Sequence, residues 1–144
     1  MGGVSGHAGL FSTAMDSYRL LRGLMWATQN GTWINSTTVN TFTTIYNVSQ
    51  SSRALGWDTN NYAVRDYPGC GNFSQNTFMH TGYTGTQVCN DKDRQLIAIL
   101  FTNRVYPEAA PVSEYYIEAA RIAFSDTVIG VYDSANAAAA LNDE

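Results

Sequence analysis

Apolar residues recur at helical spacing close to the start of the chain. They stand three or four residues apart and predict an amphipathic helix over about residues 14–29, on Ala14, Tyr18, Leu21, Leu24 and Met25. Thr13 and Asp16 have the spacing of a capping box at its start, and Asn30-Gly31 supplies a stop signal. The same spacing returns and predicts a second, short helix over about residues 37–46, on Val39, Phe42, Ile45 and Tyr46.

The pattern changes after residue 52, where short apolar runs replace the helical spacing. Residues 53–57 and 62–64 predict two short strands, and the Pro68-Gly69 pair marks a loop over residues 66–76. Three further extended segments are predicted downstream, namely residues 77–79 leading into 80–86, residues 87–89, and the most apolar strand, residues 95–105.

A third helical pattern covers the C-terminal part of the chain. Residues 112–131 predict a long helix with an apolar stripe, on Tyr116, Ile117, Ala120, Ile122, Ala123 and Phe124. Residues 134–144 form a tail rich in Ala and Asn that is predicted to fray. Two helices, then strands, then a helix predict an α+β fold in which an antiparallel sheet packs against helices. We expect one structural unit over residues 1–133, followed by the tail.

The charge balance argues against a nucleic-acid binder. The 144 residues carry 8 basic and 12 acidic side chains, with a net charge of −4 and a pI near 5.0. Lys92 is the only lysine, whereas phosphate neutralisation requires clustered Lys and Arg. The longest apolar run, residues 96–101, is far shorter than the roughly 20 residues of a membrane helix. We therefore expect neither nucleic acid nor a membrane as a partner.

Four N-x-[ST] sequons and two cysteines favour a secretory compartment. Sequons are glycosylated only in a secretory lumen, and here they occur at Asn30, Asn35, Asn47 and Asn72. Cys70 and Cys89 flank a stretch that can form a hairpin and bring both thiols together as a disulfide. Two reduced cysteines packed as small hydrophobic side chains are the alternative. Because no signal peptide follows Met1, we expect the true N-terminus of the secreted protein to lie upstream.

Three motifs occur in order along the chain. They are G-H-A-G-L-F-S-T at residues 6–13, L-G-W-D at 55–58, and H-T-G-Y-T-G-T at 80–86, the last followed by an acidic turn and the segment 97–107. Together they resemble the serine β-lactamase and penicillin-binding-protein family, in its class C and esterase-like branch. The resemblance covers nearly all of this chain but only the C-terminal part of the family domain. It implies a partial β-lactamase/transpeptidase-like fold for residues 1–133.

The resemblance implies a hydrolase that needs no cofactor and forms an acyl-enzyme on a serine. In that family the serine lies in an S-x-x-K motif, and a K-T-G strand binds the substrate. His80 stands at the lysine position of this strand, and Thr81 and Gly82 line the cleft. The backbone N–H of Tyr83 is then one of the two donors to the oxyanion. Three more positions border the same cleft by resemblance: Ala8, Gly9 and Asn103.

The chain departs from the family at the nucleophile. No S-x-x-K motif can form, because Lys92 is the only lysine and Cys89 stands three residues before it. Matches to a Y-x-N, Y-x-S or S-x-N element lie out of order, in the tail or on a loop, at residues 132–134, 134–136 and 74–76. We therefore expect the nucleophile and its base to precede Gly6 in a longer protein, and this chain alone to be inactive.

Both histidines also have non-catalytic interpretations. His80 can be an ordinary exposed histidine on an edge strand, and hydrogen bonds to its local loop backbone explain His7 best. The two histidines and the two cysteines match no compact zinc pattern, so no metal is expected.

Two functions of different classes follow from these observations. The first is the C-terminal part of a secreted serine hydrolase that acts on a small ester, an amide or a peptide, with this segment supplying the substrate-binding strand. The second is a non-catalytic module whose remaining cleft binds a glycan, a peptide or a complementary chain, or which self-associates through a bare sheet edge.

Overall fold

The computed structural model describes residues 2–3, 6–29, 33–61, 69–109 and 113–142. These residues form three helices and a four-stranded antiparallel sheet: α1 (Ala14–Met25), α2 (Ser36–Thr43), β1 (Asp58–Thr59), β2 (Thr77–Thr81), β3 (Gln87–Asp91), β4 (Leu96–Leu100) and α3 (Ser113–Asn142). The strands lie side by side in chain order, so each strand pairs with the next one along the chain. The α+β fold expected from the sequence is confirmed.

Side-chain caps determine where the two N-terminal helices begin. Thr13 Oγ1 accepts a hydrogen bond from the backbone N–H of Asp16 at 3.1 Å, as the predicted capping box requires. Asn35 caps α2 in the same way, because its Oδ1 accepts from the N–H of Thr37 at 2.7 Å. Both helices end a few residues earlier than the apolar spacing predicts.

The strand predicted over residues 53–57 is wrong. The N–H of Ala54 donates to the carbonyl of Trp57 at 3.0 Å, and Gly56 has a φ of +81°, so this segment folds into a local turn. The residues that follow this turn form β1, which pairs with β2 and places Asp58 opposite Met79. The strand predicted over residues 62–64 lies outside the described residues.

The strand predicted over residues 95–105 is shorter than expected, because β4 ends at Leu100. The chain then turns toward the β2–β3 connection, where the N–H of Arg104 donates to the carbonyl of Thr84 at 2.8 Å.

The sheet has helices on both faces. One face packs against α3 through a buried core that contains Met79, Cys89, Ala98, Cys70, Phe73 and Ile129. On the opposite face Phe78 is fully buried and contacts Trp57 edge to face at 4.9 Å between ring centroids. Phe78 also lines a cavity with Leu24 of α1 and Val39 of α2. The described residues therefore form three layers, with the sheet in the middle.

A disulfide joins Cys70 to Cys89, with 6.0 Å between the two Cα atoms. The sequence left a disulfide and two reduced cysteines as alternatives, and the structure contains the disulfide. The side chain of Asn60 holds the same loop. Its Nδ2 donates to the carbonyl of Phe73 at 2.9 Å, and its Oδ1 accepts from the N–H of Cys70 at 3.1 Å. The disulfide and the Asn60 amide together attach residues 69–73 to the centre of the sheet.

The tail, which was predicted to fray, is helical up to Asn142, where α3 ends, and its last two residues lie outside the described residues. Alanine is the best helix former, and four alanines in succession occupy residues 137–140. The Tyr132 hydroxyl donates to the carbonyl of Arg94 at 2.9 Å and fixes the helix to the sheet close to the start of this tail. Among the described residues, none of the helices combines the length and the apolar character needed to cross a membrane.

Candidate active site

The H-T-G motif forms the end of β2 and the tight turn that leads into β3. The N–H of Gly82 donates to the carbonyl of Thr86 at 2.8 Å, and the N–H of Gly85 donates to the carbonyl of Gly82 at 2.9 Å. Gly85 has a φ of +110°, and a Cβ at this position would collide with Thr102 Oγ1 and with Ile117. Only glycine fits there, so the shape of the turn depends on this residue.

A buried arginine of α3 holds this turn from the helix side. The guanidinium of Arg121 donates to the carbonyl oxygens of Gly82 at 2.7 Å, Gly85 at 3.3 Å and Thr86 at 3.3 Å. Its side chain is largely inaccessible, with only 7% of the residue exposed. Hydrogen bonds from a charged donor are stronger than neutral ones, so these contacts constrain the turn firmly.

Sequence reasoning missed Arg121, although a signal was present. Ile117, Arg121, Ser125 and Ile129 recur every four residues on α3, and all four are buried. A charged residue on a buried helical stripe requires partners, because burying an unpaired charge is costly.

A second arginine holds the outer side of the same turn. Arg104 Nε donates to the carbonyl of Tyr83 at 2.7 Å, and its guanidinium lies over the Tyr83 ring at 4.4 Å from the centroid. The backbone N–H of Arg104 also donates to Thr84. The sequence placed Arg104 in a matching segment but suggested no role for it.

The N–H of Tyr83 is left without a hydrogen-bond partner among the described residues, although every carbonyl from Gly82 to Thr86 accepts at least one bond. In a trans peptide the N–H and the preceding C=O point in opposite directions. Because Arg121 binds the carbonyl of Gly82, the Tyr83 N–H points away from that guanidinium. The residue Tyr83 as a whole is 73% exposed, so the turn lies at the surface of the described part of the chain.

His80 is exposed on the face of the sheet opposite α3. Its Nδ1 lies 2.7 Å from the carbonyl oxygen of Thr81, which can only accept a hydrogen bond. Nδ1 therefore carries a proton, and Nε2 holds the lone pair in the neutral ring. The next side chain, Thr81, points to the other face and lines a cavity of about 200 Å³ together with Arg104 and Arg121.

The remaining cleft positions differ in how they relate to the turn. Asn103 is exposed, and its Oδ1 accepts from the N–H of Val105 at 3.2 Å, which places it beside the arginine that binds Tyr83. Ala8 and Gly9 are exposed residues with positive φ before α1. No hydrogen bond in the described part of the chain joins Ala8 or Gly9 to the β2–β3 turn.

Three of the four sequon asparagines, Asn35, Asn47 and Asn72, are exposed in the structure. Asn30 lies outside the described residues. Asn47 Oδ1 accepts from both the N–H and the hydroxyl of Ser49, the third residue of its own sequon.

The side chains that resemble a nucleophile or base by spacing have structural roles instead. Lys92 lies at the opposite end of β3 from the turn, with its Nζ 5.6 Å from the centroid of the Phe78 ring. Burial lowers the pKa of Lys92, and the charge of Asp93 partly offsets this effect. The hydroxyls of the out-of-order Y-x-N and S-x-N matches also have internal acceptors, which are Arg94 O for Tyr132, Gly130 O for Ser134 and Asp91 Oδ1 for Ser74. Across the described ranges, no group of three or more His, Cys, Asp or Glu is placed to hold a metal ion.

Asp91 is a fully buried acid at this far end of the sheet. Burial alone raises the pKa of Asp91, but hydrogen bonds from Ser74 and Arg94 outweigh burial and hold that pKa below its usual value. The carboxylate accepts from the N–H and the hydroxyl of Ser74 at 2.9 and 2.7 Å, and from the Arg94 guanidinium at 3.1 Å. It therefore ties the loop before β2 to the turn after β3.

We expect Asp91→Asn to lower the free energy of unfolding at pH 7 by about 2 to 3 kcal/mol, because charge-assisted hydrogen bonds are lost in a buried site. Folding lowers the pKa of this carboxyl, so the carboxylate stabilises the folded state at pH values above the unfolded pKa of about 3.9. This contribution is lost as the pH falls through the folded pKa. The variant should thus lose less stability than the wild type on acidification below about pH 4.

Urea denaturation at pH 7 and pH 3 measures both effects. Glu108→Gln, at an exposed carboxylate away from Arg94, is the control, and equal pH profiles for wild type and D91N would refute the assignment.

Comparison with known proteins gives a consistent set of matches. The family model named Beta-lactamase matches residues 1–121. A putative D-alanyl-D-alanine carboxypeptidase of Escherichia coli (strain K12) is 34% identical over 113 residues, which cover 76% of this chain and 26% of that protein. An N-acetylmuramyl-L-alanine amidase of Bacillus subtilis (strain 168) is 35% identical over 106 residues, or 72% of this chain and 24% of that protein. The chain thus spans about a quarter of the length of these curated relatives. No solved structure matches.

Proposed function

This chain belongs to the beta-lactamase family, and on that premise we propose that it forms the substrate-binding strand and one oxyanion donor of a secreted serine hydrolase. The hydrolase cleaves an ester or amide through an acyl-enzyme, and the nucleophile belongs to an S-x-x-K motif outside these residues. The observation that carries the proposal is the N–H of Tyr83, which has no hydrogen-bond partner among the described residues, in a turn whose carbonyls are all held by hydrogen bonds.

The oxyanion of a tetrahedral intermediate needs donors that are in place before the reaction. The Tyr83 N–H meets this requirement because the peptide groups on both sides of it are held, at the carbonyl of Gly82 by Arg121 and at the carbonyl of Tyr83 by Arg104. The second donor in this proposal is the N–H of the nucleophilic serine itself. The strand and the serine then bind the scissile carbonyl oxygen from two sides.

His80 occupies the position of the family's lysine and acts beside the nucleophile. With Nδ1 bonded to the carbonyl of Thr81, its Nε2 is directed to the solvent-accessible side of the strand, where it exchanges a hydrogen bond with the proton relay of the serine. Gly82 and the backbone of Thr81, whose side chain faces α3, form the adjoining wall of the proposed cleft, and Ala8, Gly9 and Asn103 are its proposed border.

The proposed substrate is a cell-wall peptide or a related amide. One relative is named a putative D-alanyl-D-alanine carboxypeptidase and the other an N-acetylmuramyl-L-alanine amidase, and both names contain alanine. An extracytoplasmic location agrees with this substrate, with the buried disulfide and with three exposed sequons, which we propose as glycosylation sites where the host supplies the machinery.

Exposed apolar side chains favour the hydrolase over an autonomous module. Leu10 is 94% exposed and Phe11 is fully exposed, immediately before α1. Neighbouring large apolar side chains are rarely left in water, so we propose that the remainder of the hydrolase domain covers them.

The function is tested with the protein produced from its complete reading frame. We expect His80→Ala to lower kcat/KM for a chromogenic ester or a D-alanyl-D-alanine peptide about tenfold, the effect of losing one hydrogen bond worth about 1.4 kcal/mol in the transition state. Thr127→Ala, at an exposed position of α3 on the other side of the sheet from His80, is the control and should leave kcat/KM unchanged. A wild-type protein without hydrolytic activity, or equal effects of the two variants, would count against the proposal.

A further inference from the structure

We propose that Arg121 is a positioning residue for the reaction: it fixes the orientation of the Gly82–Tyr83 peptide group so that the Tyr83 N–H faces the oxyanion. This inference rests on the proposed function and adds to it a residue on a different element, 39 positions along the chain from Gly82.

The geometry concerns a single peptide group. Its carbonyl, that of Gly82, accepts from Arg121 Nη2 at 2.7 Å and from the N–H of Gly85 at 2.9 Å. Its other end is the N–H of Tyr83. A rotation of this group by half a turn would break both hydrogen bonds and point the carbonyl, the negative end of the peptide dipole, toward the developing oxyanion.

Gly82 has no Cβ to restrict its own torsions, and the backbone N–H of Gly85 that bonds its carbonyl belongs to the same turn, so further resistance to such a rotation has to come from another element. Arg121 supplies it with a rigid fork that reaches three carbonyls at once, those of Gly82, Gly85 and Thr86. A lysine at this position carries the same charge but lacks the planar fork. Arg104 completes the arrangement from the other side, by holding the carbonyl of Tyr83.

The guanidinium also acts on the strength of the donor. A positive charge at the carbonyl oxygen polarises the peptide group and makes its N–H a better hydrogen-bond donor, and this effect is larger in a buried site than in water. The charge sits on the helix side of the turn, and the donor faces the opposite direction. Orienting and polarising this peptide group explains why the buried position between Ile117 and Ser125 on α3 holds an arginine instead of an apolar residue.

The first experiment measures kcat and KM separately in the protein produced from its complete reading frame. We expect Arg121→Lys to lower kcat about 30-fold while KM changes less than about twofold, because a donor to the transition state is misplaced and not removed. Arg94→Lys, on the turn at the far end of the same sheet, is the matched control and should leave kcat unchanged. An unchanged kcat in R121K, or an equal loss in R94K, overturns the proposal.

The second experiment does not depend on activity. In the same protein labelled with ¹⁵N-tyrosine, the residual dipolar coupling of the Tyr83 N–H reports the orientation of this bond. We expect the coupling to change in R121K and in Arg121→Met and to stay as in the wild type in R94K. R121K keeps the test valid if R121M does not fold, and an unchanged Tyr83 coupling in folded R121K overturns the proposal. If the wild type hydrolyses no substrate, the proposed function fails, whereas the coupling still decides whether Arg121 orients the peptide.

Discussion

Replacing Cys70 and Cys89 together by alanine lowers the free energy of unfolding by about 3 kcal/mol. The disulfide joins residues 19 positions apart in the sequence, and its loss lets the unfolded chain explore conformations that the bond forbids. The folded state loses contacts as well, since both sulfurs lie in the core between the sheet and α3. Urea denaturation of the oxidised wild type and of the double variant measures the difference.

Two comparisons make this prediction specific. Met79→Leu changes a side chain of the same core without a large change in volume, and we expect it to cost less than about 1.5 kcal/mol. Wild-type protein unfolded in the presence of a reductant should lose about as much stability as the double variant. A loss below about 1 kcal/mol in both cases would mean that the bond contributes little and that Asn60 alone holds the loop.

The second large effect is expected at the turn itself. Gly85→Ala should lower the free energy of unfolding by about 3 kcal/mol, because φ at +110° is strained for any residue with a Cβ and the added methyl meets Thr102 and the Cδ1 atom of Ile117 at 2.8 Å. Strain at Gly85 also moves the carbonyls that Arg121 binds, so hydrolysis should fall more than the folded fraction does.

A glycine elsewhere in the chain provides the control for this substitution. Gly130 lies within α3, and nothing lies within 4 Å of a Cβ built there. Gly130→Ala should therefore raise the free energy of unfolding by about 0.5 to 1 kcal/mol. Thermal denaturation of both variants measures the contrast, and a destabilisation of equal size at the two positions would show that the turn is not specially constrained.

Local signals in the sequence predicted much of the fold. The Thr13–Asp16 capping box begins α1 as expected, and the order of helices and strands matches the α+β prediction. The H-T-G motif was expected on a strand, and His80 and Thr81 do end β2, but residues 82–86, which were predicted to be extended, form the turn into β3. Each of these features depends on residues close together in the chain, where spacing and side-chain chemistry determine the conformation.

Other features depended on contacts that local patterns do not encode. Residues 53–57 are apolar enough for a strand, yet a hydrogen bond from Ala54 to Trp57 and the positive φ of Gly56 fold them into a turn. The tail was expected to fray because its composition is simple, but alanine propensity and the contact of Tyr132 with Arg94 continue the helix. Composition and apolar spacing therefore failed at both places, because single hydrogen bonds and one glycine torsion determine the local conformation there.

The candidate site shows the same division. His80, Thr81, Gly82 and Tyr83 are adjacent, so a motif was sufficient to find them. The acceptors of Arg121 are backbone carbonyls, which have no side-chain signature, and they lie 35 to 39 positions away in the sequence. The tertiary fold packs α3 against the β2–β3 turn, and this contact gives the buried Arg121 guanidinium its three carbonyl acceptors.

Covalent labelling of the nucleophile tests most directly whether this chain supplies the binding strand but not the attacking serine. The 144-residue chain and the protein from the complete reading frame are each incubated with a fluorophosphonate or a fluorescent penicillin, and the labelled peptide is located by mass spectrometry. We predict no label on the 144-residue chain, and one label in the longer protein on the serine of an S-x-x-K motif. A label on any serine within residues 1–144 would contradict the proposal.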